Sequence, residues 1–194
     1  TMSRPRKTTG SILVRVLRGG RNIAAINDKT ARMVSGTGMM AGVFSAYRES
    51  DRFLVFARGV SDSRCSDPAP FERERATLQA AIDEHPEKTV VYFSTLSLHD
   101  PEEREGRYVT HKLGMERLLF SLCPSAIVFR LPQLVGRTSN RQTLVPFLIG
   151  HISDGKEFSL WEHATRNILD AEDAYTVMDH LLRQYDGGHR LHEI

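Results

Sequence analysis

Cysteine and tryptophan are scarce in this chain, two and one in 194 residues, and no apolar run is long enough to cross a bilayer. Each shortage excludes something. Cys65 and Cys123 are too few for a disulfide framework and lack the paired spacing of a metal site, so they read as reduced structural thiols. The eight histidines are scattered, and no metal is expected. No apolar segment near the amino end resembles a signal peptide, and no internal repeat or low-complexity stretch is visible. The expectation is a cytoplasmic protein with no membrane partner. A chain of this length holds one domain with a sizeable core and is too short for two substantial ones.

Charge of one sign is nearly absent from the amino end. Residues 1–32 carry eight Lys/Arg against Asp28 alone, which puts +7 there and leaves −5 on the rest of a chain whose total is +2. Such an arm would suit nucleic acid or acidic lipid. The simpler expectation is a solvated extension with no nucleic-acid partner, in which 12–26 form a hairpin turning at Gly19-Gly20.

What is present is concentrated between Val90 and Lys112. Val90-Val91-Tyr92-Phe93 is a β-branched and aromatic run, as expected for a strand buried on both faces, and it ends in Ser94-Thr95. Open α/β sheets place ligands at that carboxyl end. After a charged loop, Tyr108 opens a helical pattern in which Lys112 shares its face by a spacing of four. A neighbouring ammonium favours phenolate, so the pair is expected to hold a tyrosine ready for proton exchange near neutral pH. The plain alternative is a surface pair on a helix.

Upstream, a short strand at Met33–Ser35 precedes Gly36-Thr37-Gly38-Met39-Met40-Ala41 and a helix to about Arg48. This is the Gly-x-Gly-x-x-Gly/Ala form of a dinucleotide-binding turn, in which glycines let backbone close on a pyrophosphate. A strand follows at Phe53–Ala57, then a helix to Glu84 that leads into Val90. Beyond Lys112 the order continues with a strand near Ala126–Phe129, a helix at Thr143–Ile149, a strand at Lys156–Trp161, a helix capped by Asp173 and a late strand at 187–192.

Strand, hydroxyl pair, then Tyr108-Val109-Thr110-His111-Lys112 resembles the active-site segment of the short-chain dehydrogenase/reductase superfamily, in its extended epimerase/dehydratase branch. The resemblance covers residues 33–194 and implies a reduced Rossmann-like, doubly wound, mainly parallel α/β sheet with a substrate region inserted at about 137–165. It also implies a homodimer through the helices at Phe71–Glu84 and Tyr108–Phe120. Arg130-Leu131-Pro132-Gln133-Leu134-Val135-Gly136 is similar to the family's Arg-x-x-Asn-x-x-Gly turn, and the segment from Arg166 to Ala174 to its Arg-Asp-x-x-x-Val-x-Asp-x-Ala stretch. The implied roles are Tyr108 as acid/base, Lys112 as its partner and ribose contact, and Thr95 as orienter of the reacting oxygen. Gly36, Gly38, Met39, Ala57, Arg58 and Ser94 would hold NAD or NADP, and Gln133, Thr143 and Arg166 a nucleotide-linked substrate.

Two departures matter. No acidic residue ends a strand about 20 residues past the glycines, where the family reads the adenine ribose. Either two strands are missing and Phe53–Ala57 precedes the active-site strand, or Phe53–Ala57 is the second strand and Arg58 reads an NADP phosphate. The first is preferred, because the next helix runs straight into Val90. The carboxyl end is also short, implying a pocket that is smaller, more open, or completed by another subunit. Leu96-Ser97 stand where the 4,6-dehydratases carry an acidic pair, which argues against dehydration. The expected activity is therefore NAD(P)-dependent epimerase or ketoreductase chemistry on a nucleotide-activated sugar. The alternative is a non-catalytic, nucleotide-binding or regulatory protein of the same fold.

Overall fold

The computed structural model describes residues 33–63, 65–137, 144–159 and 166–194. The expected hairpin at 12–26 and Thr143 lie outside the described residues. In chain order the elements are β1 (Val34–Ser35), α1 (Met39–Val43) continued by a tighter helical turn (Phe44–Tyr47), β2 (Phe53–Phe56), α2 (Pro68–Glu84), β3 (Thr89–Thr95) and α3 (Arg107–Leu122). Then come β4 (Ala126–Leu131), β5 (Gln133–Val135), α4 (Leu144–Ser153), β6 (Ile168–Asp170), α5 (Ala171–Arg183) and β7 (His189–Glu193). Among the described residues no helix is long and apolar enough to cross a membrane.

Every residue of β3 is buried, as a strand covered on both faces must be. It lies at the centre of a five-stranded parallel sheet ordered β1-β2-β3-β4-β7. Parallel neighbours need crossovers, and the helices supply them on both sides. On one face Leu78 and Ile82 of α2 and Met115 and Leu119 of α3 pack on Leu54, Phe56, Val90, Tyr92 and Val128. On the other, Ala41 and Phe44 pack with Ala174, Met178 and Leu182 of α5 on Val55, Val91, Phe93, Ile127 and Phe129. Alternate strand residues thus feed two cores, and the fold is the expected doubly wound one.

The strand order decides between the two alignments. β2 sits between the glycine-turn strand and the hydroxyl-bearing strand, in register with both through Val34↔Val55 and Leu54↔Val90. Phe53–Ala57 is therefore not a second strand on the far side of β1, and Arg58 is not where such a strand would read an NADP phosphate. Among the described residues β1 is an edge of the sheet.

Two local expectations are corrected. Asp170, not Asp173, caps α5 by accepting from the Glu172 N–H at 2.8 Å, and Asp173 lies in the first turn where its charge suits the helix dipole. Residues 156–159 form no strand: the Lys156 N–H bonds the His151 carbonyl at 2.9 Å after Gly155 turns at φ 63°, so that donor closes α4. Gln133–Val135 instead pairs in parallel with Ile168–Asp170 as a separate two-stranded ladder. On α2 and α3, the pair expected at a dimer contact, Leu122 is the one exposed large apolar side chain among the described residues, whereas α4 exposes Phe147, Ile149 and Ile152.

Gly36, where β1 ends, has φ 123°, and a Cβ there would lie 2.3 Å from the Ala57 carbonyl oxygen. The turn folds back on β2 only because glycine has neither the φ restriction nor the atom. Gly36→Ala is expected to cost more than about 1 kcal/mol, a fall in Tm of about 2–4 °C or more. A thermal melt that does not move would overturn this account of the turn.

Candidate active site

The register brings the expected residues to one edge of the sheet. Ser35 is level with Phe56, and Phe56 with Tyr92, so Gly36, Ala57 and Ser94 leave adjacent strands at nearly the same height. Strand spacing puts β1 about 10 Å from β3. β3 runs three residues further than its neighbour β2, which carries Ser94 and Thr95 against Arg130 and Leu131 of β4. The Leu96 N–H then bonds the Leu131 carbonyl at 2.9 Å and fixes the exit of the strand.

Thr95 accepts from the Ser97 N–H through Oγ1 at 3.0 Å, and its side chain interacts with that of Tyr108, half-buried in the first turn of α3. One turn on, the Lys112 Nζ lies 5.9 Å from the centre of the Tyr108 ring. Thr95, Tyr108 and Lys112 are thus gathered from three positions in sequence. Lys112 is 2% exposed, which rules out the surface pair.

Its three N–H donors are engaged inside the protein: Glu74 Oε1 at 3.0 Å, the Tyr92 hydroxyl at 3.1 Å and the Phe93 carbonyl at 3.4 Å. Glu74, on α2 and 1% exposed, was not singled out from the sequence. Its Oε1 also accepts from the Tyr92 hydroxyl at 2.6 Å, while Oε2 takes the Val60 N–H at 2.8 Å and lies 3.0 Å from His111 Nε2. Phe71 stacks on the His111 ring. One signal was available: Phe71, Glu74, Leu78 and Ile82 mark the buried stripe of α2, and a carboxylate on an apolar stripe needs partners.

Burial alone would raise the Glu74 carboxyl, but His111, Lys112, Tyr92 and the Val60 N–H outweigh it and hold the group down at about 2. Burial lowers the Lys112 ammonium from its ordinary value while Glu74 opposes that shift. With four partners on the carboxylate and three on the ammonium, the pair stays ionised. Tyr108 behaves otherwise than its spacing from Lys112 suggests. Burial first, then the Glu74 charge, push its phenol up to about 12, with Glu103 and Asp62 adding to the rise and the interaction with Thr95 opposing it. The tyrosine is held as a phenol and is not poised near neutral pH.

The edge around this cluster suits a dinucleotide in part. Gly36 brings its turn against Ala57, the space that a Cβ would take at Gly38 is open, and Met39 packs on Gly136, whose Cβ would lie 3.4 Å from the Met39 sulfur. Ser94 Oγ is buried with no hydrogen-bond partner among the described residues, an acceptor and donor left for a ligand. Arg58 stands exposed directly after Ala57. Beyond β1 no strand among the described residues offers an acid to an adenine ribose. In the substrate region the Gln133 N–H bonds the Asn167 carbonyl at 3.1 Å, which brings Gln133 beside the residue that follows Arg166.

Glu74 gives the fold a pH dependence. A carboxyl at about 2 in the folded chain and 4.5 when free stabilises the fold above about pH 4.5, and that stability is lost as pH falls toward 2. The amount is on the order of a few kcal/mol. In Glu74→Gln, stability between pH 5 and 3 is expected to fall less steeply than in the wild type, as urea melts at each pH would show. Parallel acid limbs would remove Glu74 as their source.

No family model matches the chain, and a comparison with curated proteins also gives no match. Solved structures do match. A UDP-glucuronic acid 4-epimerase variant from Bacillus cereus, in complex with a fluorinated UDP-glucuronic acid and NAD, is 13% identical with a TM-score of 0.62 over 75% of this chain and 54% of that one. A dTDP-glucose 4,6-dehydratase from Streptomyces venezuelae with NAD bound is 16% identical, TM-score 0.60, over 80% and 55%. A UDP-N-acetylglucosamine 4-epimerase from Bacillus cereus is 20% identical, TM-score 0.57, over 73% and 56%. The chain therefore spans about half the length of these structures. Over the matched span it shares their fold.

Proposed function

We propose that this chain interconverts an alcohol and a ketone on a nucleotide-activated sugar with NAD or NADP, as a ketoreductase or an epimerase. The observation that carries the reading is the gathering of Thr95, at the carboxyl end of the central strand, with Tyr108 and, 5.9 Å from its ring, the Lys112 ammonium. A binding module has no need of that trio. The matching structures that hold NAD and UDP-sugars support the choice of ligands.

In this reading Thr95 and Tyr108 hydrogen-bond the substrate oxygen, and Tyr108 gives its proton to that oxygen as a ketone becomes an alcohol, or takes it back in the reverse direction. A bound nicotinamide supplies or accepts the hydride. Gly36, Gly38, Met39, Ala57, Arg58 and Ser94 hold the coenzyme. Of the Lys112 contacts, the 3.4 Å one to the Phe93 carbonyl is the longest, and it is the one that a ribose hydroxyl would replace. Gln133, Thr143 and Arg166 take the nucleotide diphosphate, with Arg166 able to bind it through two N–H groups.

A second reading, a non-catalytic nucleotide-binding protein, is favoured by one observation: all three Lys112 donors have partners within the protein. Fluorescence titration with NADH and NADPH separates the two. Saturable binding followed by turnover of a nucleotide-linked 4-keto sugar supports the enzyme. No coenzyme binding at millimolar concentration overturns it in favour of the second reading.

A further inference from the structure

We propose that Glu74 is a positioning residue of this site: its carboxylate fixes the Lys112 ammonium beneath Tyr108 and keeps Tyr108 in the phenol form that donates a proton. The inference rests on the reading of Tyr108 as the proton-transfer group.

The geometry argues for more than a packing role. Among the described residues Glu74 is the side chain that hydrogen-bonds or pairs with three parts of the site together, through Val60 after β2, Tyr92 on β3, and His111 and Lys112 on α3. The packing there is tight: a Cβ on Gly59 would lie 2.5 Å from Lys112 Nζ and 3.0 Å from Glu74 Oε1. The ammonium therefore cannot swing toward the post-β2 loop, and its place is set by the carboxylate.

The charges then decide the protonation of Tyr108. An isolated ammonium would stabilise a phenolate, but here it is matched by a carboxylate in the same buried space, so Tyr108 faces a pair with no net charge. The other titratable groups facing the cluster are Tyr92 on β3, His111 and Glu116 on α3, Asp62 after β2 and Glu103 before α3. The acids among these add negative charge, so none takes over from the ammonium. A site that rests with the proton on Tyr108 suits reduction of a ketone, which consumes that proton. Oxidation of an alcohol needs the phenolate and is expected to become faster only as pH rises.

The test compares the wild type with Glu74→Gln, which keeps the shape of the side chain and removes its charge. The tyrosinate absorbance of each, minus that of its Tyr108→Phe counterpart, isolates the ionisation of Tyr108 among the five tyrosines. Tyr108 is expected to stay a phenol to the alkaline limit of the wild-type fold and to ionise about one pH unit or more lower in Glu74→Gln. Carbon NMR of the Lys112 ε-methylene should show the ammonium losing its proton at lower pH once the carboxylate is gone. Glu74→Asp, which keeps the charge, should restore the wild-type titration in large part. Should Glu74→Gln not fold, the same titration on Lys112→Met with and without Glu74→Gln reports the carboxylate alone. Tyr108 ionising at the same pH with and without the Glu74 charge overturns the proposal. These titrations need no coenzyme or substrate, so a wild type without turnover would count against the proposed function and leave this result readable.

Discussion

Tyr108→Phe is expected to lower turnover by about 10²–10⁴-fold while leaving the fold and coenzyme affinity nearly unchanged. The substitution removes one hydroxyl from a half-buried side chain in the first turn of α3. Thr95 loses that partner but keeps the Ser97 N–H at 3.0 Å, so no buried acceptor is stranded. The stability cost should stay within about 1.5 kcal/mol, the net value of one hydrogen bond. The chemistry has no comparable reserve. Ser94 and Thr95 hydroxyls are far weaker acids than a phenol, and Lys112 is occupied with Glu74. Initial rates with NADH and NADPH on several nucleotide-linked 4-keto sugars, beside a coenzyme titration of both proteins, would check this. Turnover equal to wild type would remove Tyr108 from the mechanism. Loss of coenzyme binding in parallel with rate would make it a binding residue instead.

The sheet was legible because its strands are short continuous apolar runs between helical patterns. Phe53–Phe56, Thr89–Thr95 and Ala126–Leu131 carry enough β-branched and aromatic residues to be read without a partner. What escaped depends on contacts distant in sequence. The β5–β6 ladder is three residues on each side, too short for a periodic signal, and exists because Gln133 and Ile168 meet. The α5 cap moved by three residues because Asp170 and Asp173 are equally good capping residues in isolation.

The sign of the Tyr108 shift is the clearest case at the site. A spacing of four places Lys112 below Tyr108 and correctly suggests contact, but acidity depends on every charge nearby. The deciding carboxylate comes from another helix, 38 residues before Lys112. Local spacing gave the members of the cluster. Tertiary packing gave their protonation states.

The largest effect on stability is expected from Lys112→Met. Methionine fills much of the same volume, so the main loss is the charge, and Glu74 at 1% exposure is left ionised with only His111, Tyr92 and the Val60 N–H as partners. Breaking a buried ion pair from one side costs about 3–5 kcal/mol, and at about 2–4 °C per kcal/mol for a domain of this size Tm should fall by roughly 6–20 °C. The proposed catalytic role is lost together with this stability, so rates alone could not separate the two. A double-mutant cycle can. Glu74→Gln in the Lys112→Met background removes the stranded charge and should recover about half or more of the lost stability, because a neutral amide costs less to bury than an unpaired carboxylate. Turnover should not recover, since the ammonium is still missing. Acid gives a second check. Without Lys112 the folded carboxyl loses one of its lowering partners and titrates higher than about 2. The deficit of Lys112→Met relative to wild type should therefore be largest at neutral pH and shrink as protonation of Glu74 relieves the buried charge. Urea melts of the four proteins at pH 7 and pH 4 would measure both. A loss below about 1 kcal/mol for Lys112→Met would mean that the pair is solvated like a surface salt bridge, against its burial here.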